Sequence, residues 1–367
     1  MFIETALAYA LSYITNVGNP IVTPAAITIL ADNDYYSTPA ELTLSTSGAA
    51  PRFHNFAVPL SKAHKTGLGS SAALVTAFTA ALLTYYLPKD VFDPTTNVGK
   101  RRLHNLAQAA HCAAQGKVGS GFDVASAVYG SCLYRRFSPE ILADHVEPGK
   151  PNFVAQLRDI VEEIGDVGSW NTEVRKAEVK VPSGLRLVMC DVSCGSQTPG
   201  MVKKVLAWRK ENRAEADALW SELQQANEGL ARELRSVAES KTSSDHRALR
   251  RCFDRIRSGV RSMSEKSGVP IEPPSQTKLL DACTAVPGVF GGVVPGAGGY
   301  DAISLLIEDD AETLAELRKL LSGWNFQGES DGHAGGRVSI LGVREEMEGV
   351  KTEDALAYGE WLDSSWN

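Results

Sequence analysis

A short glycine- and serine-rich turn stands immediately before a long apolar stretch of the chain. The turn reads KTGLGSSAA (residues 65–73), and the apolar stretch runs to about Leu87, where Pro88 ends a predicted helix. The first N–H groups of a helix have no partner within the helix and attract an anion. The hydroxyls of Ser70 and Ser71 could donate to a phosphate or bind Mg²⁺. The turn has no Walker A lysine, and a plain helix start capped by Ser70 is the alternative interpretation.

A second glycine-rich turn lies between two apolar stretches in the last quarter of the chain. It reads PGAGG (residues 295–299), with Asp301 two residues further on. A hairpin is the alternative interpretation, but a simple hairpin does not need three glycines and an alanine in five positions. One turn at a helix start and another between strands together suggest a nucleotide held between two lobes.

Composition and charge limit the class of protein. The 367 residues are 43% hydrophobic and 22% charged, which is typical of globular chains and long enough for two domains. The net charge of −7 argues against nucleic-acid binding, so cations that serve an anionic substrate must be gathered locally. The six cysteines are scattered and form no C-x-x-C pair, which favours free thiols in a reducing cytosol.

The first residues predict an amphipathic helix, not a signal peptide. Ile3, Leu7, Leu11 and Ile14 recur at helical spacing, and Glu4 interrupts the apolar run. We found no stretch long and apolar enough to cross a bilayer, so the sequence predicts a cytoplasmic protein without membrane partners.

The coarse pattern further along the chain alternates strands and helices. Strands are predicted at 26–30, 53–59, 185–192, 289–294, 302–307 and 338–342, and helices at about 70–87, 101–115, 276–285 and 311–322. The segment 124–137 begins as a helix and ends as a strand, two or three helices fill 202–265 with a break near 242–245, and 139–182 is rich in loops. The order of elements after Gly184 is compatible with a ferredoxin-like split βαβ layer, and we predict an α+β fold.

At this point the residues resemble a known family. The turns KTGLGSSAA and PGAGG are similar to the second and third motifs of the GHMP kinases. Residues 104–137, HNLAQAAHCAAQGKVGSGFDVASAVYGSCLYRRF, and residues 267–302, SGVPIEPPSQTKLLDACTAVPGVFGGVVPGAGGYDA, resemble the phosphomevalonate kinases in particular, most of all the fungal form. The resemblance covers nearly the whole chain. Its long middle motif is specific, whereas the glycine turns alone are not.

This resemblance implies a fold, a reaction and a set of ligands. The implied fold is a GHMP kinase N-terminal domain (residues 1–182) followed by a ferredoxin-like C-terminal domain (residues 183–367). The implied reaction moves the γ-phosphoryl group of ATP onto 5-phosphomevalonate in the mevalonate pathway, with Mg²⁺ as cofactor, in a monomer or homodimer. The implied nucleotide ligands are Lys65, Thr66, Gly67, Leu68, Gly69, Ser70, Ser71, Ala72 and Ala73; Gly296, Ala297, Gly298 and Gly299 would close over the acceptor. Ser71 matches the Mg²⁺ ligand, and Asp123 matches the acidic residue beside the acceptor.

Two departures from the family pattern bear on the site. Relatives begin with a strand and a Pro-Gly-Lys motif, so we expect this chain to lack that lysine and one or more strands, because nothing before Phe2 matches them. Mevalonate kinases also carry a glutamate as a second Mg²⁺ ligand on the helix before the aspartate. His111 occupies that place here, allowing for one inserted residue, which puts metal binding by this helix in doubt.

The chemistry of the acceptor changes what Asp123 must do. A phosphate monoester has a second pKa of roughly 6, so the attacking oxygen is already anionic near neutral pH. We therefore expect Asp123 to orient a lysine and Mg²⁺, with less need for a general base than in an alcohol kinase; capping the segment that follows is its alternative role. The larger obstacle is repulsion between two anions.

Several basic and hydroxyl side chains could offset that repulsion. Lys117 and Ser120 lie in the turn GKVGSGFD that also presents Asp123, which favours Lys117 as the ligand of the substrate phosphate. Further candidate cations are Lys65, Arg135 and Arg136, with Lys62 and His64 at the entrance of the first turn. Ser196 and Thr198 are candidate hydroxyls on the acceptor side, and Asp301 could hold either the second glycine turn or the substrate. One of the two arginines is expected to be exposed at a strand end, and Ser196 or Thr198 could equally cap a helix near Pro199. Two alternative functions stay open. The chain could be another GHMP kinase, such as a mevalonate or homoserine kinase, or a non-catalytic nucleotide-binding relative.

Overall fold

Ten α-helices and six β-strands make up the described part of the chain. The computed structural model describes residues 1–36, 53, 65–142, 147–165, 170–176, 180–192, 198–239, 246–326, 337–359 and 361. Their Cα positions group into two units, the first formed from Met1–Ala31, Gly69–Glu178 and Glu346–Asn367 and the second from Asp32–Leu68 and Val179–Glu345. The boundary proposed between residues 182 and 183 stays a prediction.

The first unit is mainly helical. Its elements are α1 (Phe2–Val17), α2 (Ser70–Tyr86), α3 (Asn97–Gln115), α4 (Phe122–Tyr129), α5 (Phe153–Glu162) and the antiparallel strands β1 (Leu133–Arg135) and β2 (Glu173–Arg175). Thr96 caps α3 by accepting from the Gly99 amide, and Gly116 ends it in the left-handed conformation. The helices bury one apolar core, which includes Tyr13, Ile14, Leu83, Leu103, Leu106 and Leu157.

The second unit is a four-stranded antiparallel sheet with helices. Its elements are β3 (Leu185–Val192), α6 (Thr198–Glu211), α7 (Arg213–Glu239), α8 (Arg247–Ser267), α9 (Pro274–Thr284), β4 (Val289–Val293), β5 (Ala302–Glu308), α10 (Ala311–Ser322) and β6 (Val338–Ile340). The strand order is β4-β5-β3-β6, with Leu187 opposite Leu306 and Cys190 opposite Ile340. This order is that of a ferredoxin-like layer, which confirms the predicted fold class.

The side chains of β5 alternate between two apolar cores, one on each face of the sheet. Ile303, Leu305 and Ile307 belong to one apolar core with residues of α9 and α10. Leu306 points to the other face, where it packs with Leu249 and Phe253 of α8. Because both faces of β5 are buried in apolar cores, its sequence is a nearly continuous apolar run.

Most of the predicted elements are confirmed, and two predictions are wrong. Residues 26–30 are described and form no strand. The loop-rich stretch 139–182 contains α5 and β2, because Phe153, Leu157, Ile160 and Val161 line a buried helical face that the surrounding glycines and prolines obscure. The strand predicted at 53–59 lies outside the described residues, apart from Phe53. Among the helices of the described ranges, we find none that combines the length and apolar character needed to cross a bilayer.

Candidate active site

The first glycine turn ends in an uncapped helix start. Gly69 is the N-cap of α2, and no side chain caps the helix there, so the alternative interpretation with Ser70 as the cap is wrong. Gly67 and Gly69 both adopt positive φ angles, +77° and +73°, which other residues adopt only with strain. The amides at the start of α2 are therefore available to an anion.

Thr66 anchors the beginning of this turn to the second unit. Its side chain is fully buried, its hydroxyl donates to the Asp34 carbonyl over 2.6 Å, and its amide donates to the Tyr35 carbonyl over 3.3 Å. Lys65, next to it, is exposed and forms an isolated bridge with Tyr36. The donor groups of Thr66 are thus engaged within the protein, while Lys65 faces solvent.

Ser71, His111 and Asp123 lie together in the first unit. The Ser71 Oγ is 3.1 Å from His111 Nε2, and His111 Nδ1 is 4.0 Å from Asp123 Oδ2. His111 is 2% exposed and stacks on the Phe2 ring, while Gln115 Nε2 lies 3.3 Å from its Nε2. Ser71 and Asp123, which are predicted from separate motifs, therefore both lie next to the His111 imidazole.

The close packing around Gly121 places Asp123 beside the start of α2. Gly121 is the N-cap of α4, with a φ angle of +81°. A Cβ atom there would lie 2.6 Å from Gln108 Oε1 and 2.7 Å from the Tyr134 hydroxyl. A Cβ at Gly69 would lie 3.4 Å from the Asp123 Cβ, so the turn before α2 packs directly on Asp123. Burial raises the pKa of Tyr134, which keeps its hydroxyl protonated against this turn.

The two candidate arginines have different neighbours. Arg136 donates from Nη2 to the Val118 carbonyl, in the turn that holds Lys117. Arg135 lies 3.6 Å from Glu173 on the neighbouring strand, with its side chain 55% exposed. Lys117 and Ser120 are exposed on the same turn, and the Ser120 carbonyl accepts from the Tyr134 hydroxyl. Arg135 and Arg136 are both exposed, and of the two it is Arg136 that contacts the turn that presents Asp123.

The second glycine turn rests on the link between α8 and α9. The Gly299 amide donates to the Ile271 carbonyl over 2.9 Å, and the Gly298 amide donates to the Pro295 carbonyl over 3.2 Å. Positive φ angles occur at Gly296, Gly298 and Gly299. The first of these hydrogen bonds thus fixes the turn to the segment that contains Ile271, and the second closes the turn on itself. Gly296 is exposed, and a Cβ atom added to it would meet no atom of the described chain within 4 Å.

Asp301 lies close to Gly67 and to Gly299, both of which belong to the second unit. Its Oδ2 is 3.9 Å from a Cβ placed on Gly67, and its Oδ1 is 3.7 Å from a Cβ placed on Gly299. Its backbone carbonyl accepts from the Val192 amide, which continues the β3–β5 ladder. The fold therefore brings the start of one turn and the end of the other to a shared carboxylate.

Three of the predicted residues fall outside the described part of the chain. These are Lys62, His64 and Ser196, and Thr198 opens α6 without a described side chain. Within the described ranges, no group of three or more His, Cys, Asp or Glu side chains is placed to hold a metal ion. Sequence reasoning missed three partners of the turns, the buried Gln108 and the half-buried Tyr134 and Ile271, because their contacts join distant segments.

Comparison with known proteins gives consistent matches over the whole chain. The GHMP kinases N terminal domain matches residues 25–131, and the GHMP kinases C terminal domain matches residues 244–322. Phosphomevalonate kinase erg8 of Aspergillus fumigatus is 51% identical over 99% of this chain and 75% of its own length. Phosphomevalonate kinase ERG8 of Gibberella zeae is 51% identical over 98% of this chain and 78% of its own length.

A solved structure supports the fold independently. The crystal structure of the Lin0012 protein from Listeria innocua aligns with a TM-score of 0.62 at 19% identity, covering 93% of this chain and 80% of that one. At this level of identity the likeness concerns the fold alone.

Proposed function

This chain belongs to the phosphomevalonate kinases, a branch of the GHMP kinases, and from that premise we propose which of its residues carry the reaction. The protein is an ATP-dependent kinase that transfers the γ-phosphoryl group of ATP to 5-phosphomevalonate, giving 5-diphosphomevalonate and ADP. The roles of individual side chains depend above all on one observation, the packing of the uncapped start of α2 against Asp123.

The triphosphate of ATP is assigned to the turn before α2. The amides of residues 67–71 bind the phosphate oxygens, because they precede the first hydrogen bonds of α2 and no capping side chain competes for them. The amides of Ala72 and Ala73 donate to the Gly69 carbonyl instead, so these two residues would only line the site. Thr66 holds the turn in place through Asp34 and Tyr35 instead of contacting the nucleotide. Lys65 is exposed and supplies a positive charge at the entrance of the turn.

Ser71 and Asp123 suit a magnesium ion. A hydroxyl and a carboxylate are both hard oxygen ligands, and a protein usually binds Mg²⁺ through one or two such groups together with substrate phosphates and water. Ser71 is half-buried and the Asp123 side chain is 24% exposed, so both can reach a ligand. When bound, Mg²⁺ would neutralise charge on the transferring phosphoryl group.

His111 acts as a positioning residue between these two ligands. Its Nε2 lies within hydrogen-bond distance of Ser71, and its ring is fixed by burial and by stacking on Phe2. A ring locked in this way limits the rotamers of Ser71 and keeps Asp123 near the same point. An imidazole in this place adds no negative charge to a site that must bind two anions.

The acceptor phosphate is assigned to Lys117 and Arg136. Both belong to or contact the turn 116–121, which leads directly into Asp123. Arg136 can grip a phosphate with two N–H groups, and Lys117 can follow the moving phosphoryl group as a point charge. Ser120 donates from the same turn, whereas Arg135 interacts with Glu173 and is assigned to the surface.

The second glycine turn and Asp301 are also assigned to the acceptor. The amides of Gly296 and Ala297 would approach phosphate oxygens closely, whereas those of Gly298 and Gly299 donate to carbonyls of the protein. The Asp301 carboxylate would hold the relative position of Gly67 and Gly299. Ser196 and Thr198 remain candidates as acceptor-side hydroxyls. We also place the reaction in the cytosol, which suits the free cysteines Cys112, Cys132, Cys190, Cys252 and Cys283.

The acceptor assignment has a direct test. ADP release is measured with Mg-ATP and either 5-phosphomevalonate or mevalonate, for the wild-type chain and for Lys117→Met and Arg136→Met. We expect turnover with phosphomevalonate only, and a loss of about 10²-fold in kcat/KM for each variant, since each removes a charge-assisted bond to phosphate. Equal turnover of mevalonate, or variants with wild-type kcat/KM, would contradict the assignment.

A further inference from the structure

The six-residue link between α8 and α9, Gly268–Pro273, is the surface on which the glycine turn 295–299 rests. The Ile271 carbonyl accepts the Gly299 amide over 2.9 Å. A Cβ atom on Gly298 would lie 2.5 Å from both that carbonyl oxygen and the Ile271 Cγ2. The turn therefore has no space to move towards Ile271, and a displacement of Ile271 would displace the turn with it.

The start of α9 holds the residue that follows the turn. Gln276 is 1% exposed, and its Nε2 donates to the Tyr300 carbonyl over 2.6 Å. From the other side, the Ser264 hydroxyl of α8 accepts the amides of Ile271 and Glu272, each over 3.2 Å. Both helices thus contribute to the position of the turn.

A cluster of polar and charged side chains, centred on the buried pair Arg257–Glu272, fixes the same link. We call Arg257, Arg261, Glu272, Thr277 and Asp281 the charge cluster. Glu272 is 4% exposed, and its Oε1 accepts from Arg257 Nη2 at 2.8 Å, from Arg261 Nη1 at 3.0 Å and from the Thr277 hydroxyl at 3.0 Å. Glu272 directly follows Ile271, so these bonds act one residue from the contact with the turn.

Arg257 extends the cluster along α9. It is 5% exposed, and its Nη1 donates to Asp281 over 2.7 Å while its Nη2 also donates to the Thr277 carbonyl over 3.3 Å. Two arginines face two carboxylates, so the charges of the cluster balance. Arg257 therefore joins α8, the link and α9 in a single hydrogen-bonded network.

Stability alone does not explain such a network. Replacing a buried ion pair by apolar side chains of similar volume is often neutral or stabilising, whereas directional bonds fix one geometry. We propose that Glu272 is a positioning residue for phosphoryl transfer, which sets the place of the turn 295–299 through Ile271. This inference rests on the acceptor-side role proposed for that turn.

The test uses Glu272→Gln in the full chain, with two independent readouts. Hydrogen exchange of the peptide 295–301 reports on the turn itself, and kcat and KM with both substrates report on transfer. We expect faster exchange of this peptide and a kcat lower by about 10²-fold, with KM for ATP changed far less, because misplacement by about 1 Å can cost that much.

Glu162→Gln is the matched control. Glu162 is also a largely buried carboxylate with an arginine partner, Arg102, and accepts from Tyr13, but it lies in the first unit. Its loss should lower the unfolding temperature and leave both the exchange of residues 295–301 and kcat unchanged. The same changes in Glu162→Gln as in Glu272→Gln would make the effect a general loss of stability and overturn the proposal.

A second variant separates positioning from stability, also if Glu272→Gln does not fold. Arg257→Met combined with Glu272→Leu removes both charges, so no unpaired charge stays buried. We expect an unfolding temperature near that of the wild type, with kcat still low and exchange still fast. Wild-type exchange in the double variant would overturn the link to the turn. Fast exchange with wild-type kcat would overturn the role of the turn in transfer, and with it the proposal, while leaving the phosphomevalonate kinase activity intact.

Discussion

At the scale of single residues, His111 is the side chain that lies between Ser71 of the first glycine turn and Asp123. It lies 3.1 Å from Ser71 and 4.0 Å from Asp123, although 40 residues separate it from the serine. Mevalonate kinases carry a glutamate in the corresponding place. A second carboxylate would repel an acceptor that is already anionic, so an imidazole suits a phosphate acceptor better than a carboxylate would.

The role of His111 can be measured by truncation and partial rescue. We expect His111→Ala to lower kcat by about 10- to 10²-fold, because Ser71 and Asp123 lose their common neighbour. His111→Gln keeps a hydrogen-bonding group near Ser71 and should recover part of kcat. Steady-state kinetics and thermal unfolding of both variants check this. Two variants that lose stability equally while keeping the wild-type kcat would show a purely structural histidine.

At the residue scale, glycine-rich turns single out Ser71 and Asp123 in the sequence. In the structure both lie near His111, and their roles in the reaction stay predictions. Thr66 reads as a phosphate ligand in the sequence, but it is buried against Asp34 and Tyr35. The charge cluster around Glu272 could not be predicted from the sequence, because its bonds join two helices and the link between them.

At the scale of elements, glycines in the left-handed conformation start the two helices that hold Ser71 and Asp123. Gly69 begins α2 and Gly121 begins α4, and neither helix has a capping side chain. The sequence predicts α2 from the apolar stretch that follows the first turn, and it predicts that the segment 124–137 begins as a helix. It fails at residues 26–30, where an apolar run has no strand partner in the described part of the chain, and at α5, which lies among glycines and prolines.

Two glycines of similar conformation and different surroundings test how Asp123 is placed. Gly116 and Gly121 have φ angles of +66° and +81°, but of these two only Gly121 would bring an added Cβ within 4 Å of other described atoms. Gly116→Ala should cost about 1 kcal/mol from backbone strain alone. Gly121→Ala should cost about 2–4 kcal/mol, since it also displaces Gln108 or Tyr134.

Urea unfolding gives both values, and kcat gives the functional consequence. We expect Gly121→Ala to reduce kcat because α4 and Asp123 shift together, whereas Gly116→Ala leaves kcat near the wild-type value. Equal unfolding free energies for the two variants would mean that the contact with Gln108 and Tyr134 yields without cost.

At the scale of the whole molecule, the acid stability of the chain depends in part on one core histidine. His104 is 1% exposed, and its ring centroid lies 5.6 Å from that of Tyr129 and 5.7 Å from that of Trp170. Burial lowers the pKa of His104 to about 4, opposed by its hydrogen bond to Asn105. The unfolded chain therefore binds an extra proton between about pH 6.5 and pH 4.

The sign of the pH dependence follows. The contribution of neutral His104 to the free energy of unfolding is complete above about pH 6.5 and is lost as the pH falls towards 4, by up to about 3 kcal/mol. His104→Phe removes this titration and should flatten the decline, which denaturant unfolding at pH 7, 5.5 and 4.5 would detect. An unchanged decline would place the acid sensitivity on other groups.

The fold class, unlike the site, can be assigned without reference to single side-chain contacts. The predicted α+β fold with a ferredoxin-like layer is confirmed by the strand order and by the matches to both GHMP kinase domains. The order of the elements after Gly184 could be read from the sequence, because the strands there are short apolar runs bounded by turns and helices. Before Gly184, α5 and β2 could not be read in this way. The assignment of residues 32–68 to the second unit could not, since it depends on contacts between distant segments.

The most direct test of the proposed mechanism is the kcat of Asp123→Asn with 5-phosphomevalonate, measured from pH 5 to pH 9. If Asp123 orients cations and the acceptor is already ionised, the substitution should lower kcat by about 10²-fold. Wild type and variant should both rise through roughly pH 6, the second pKa of the acceptor phosphate. A loss of more than about 10⁴-fold, together with disappearance of that pH limb, would show that Asp123 is an essential general base and would contradict this mechanism.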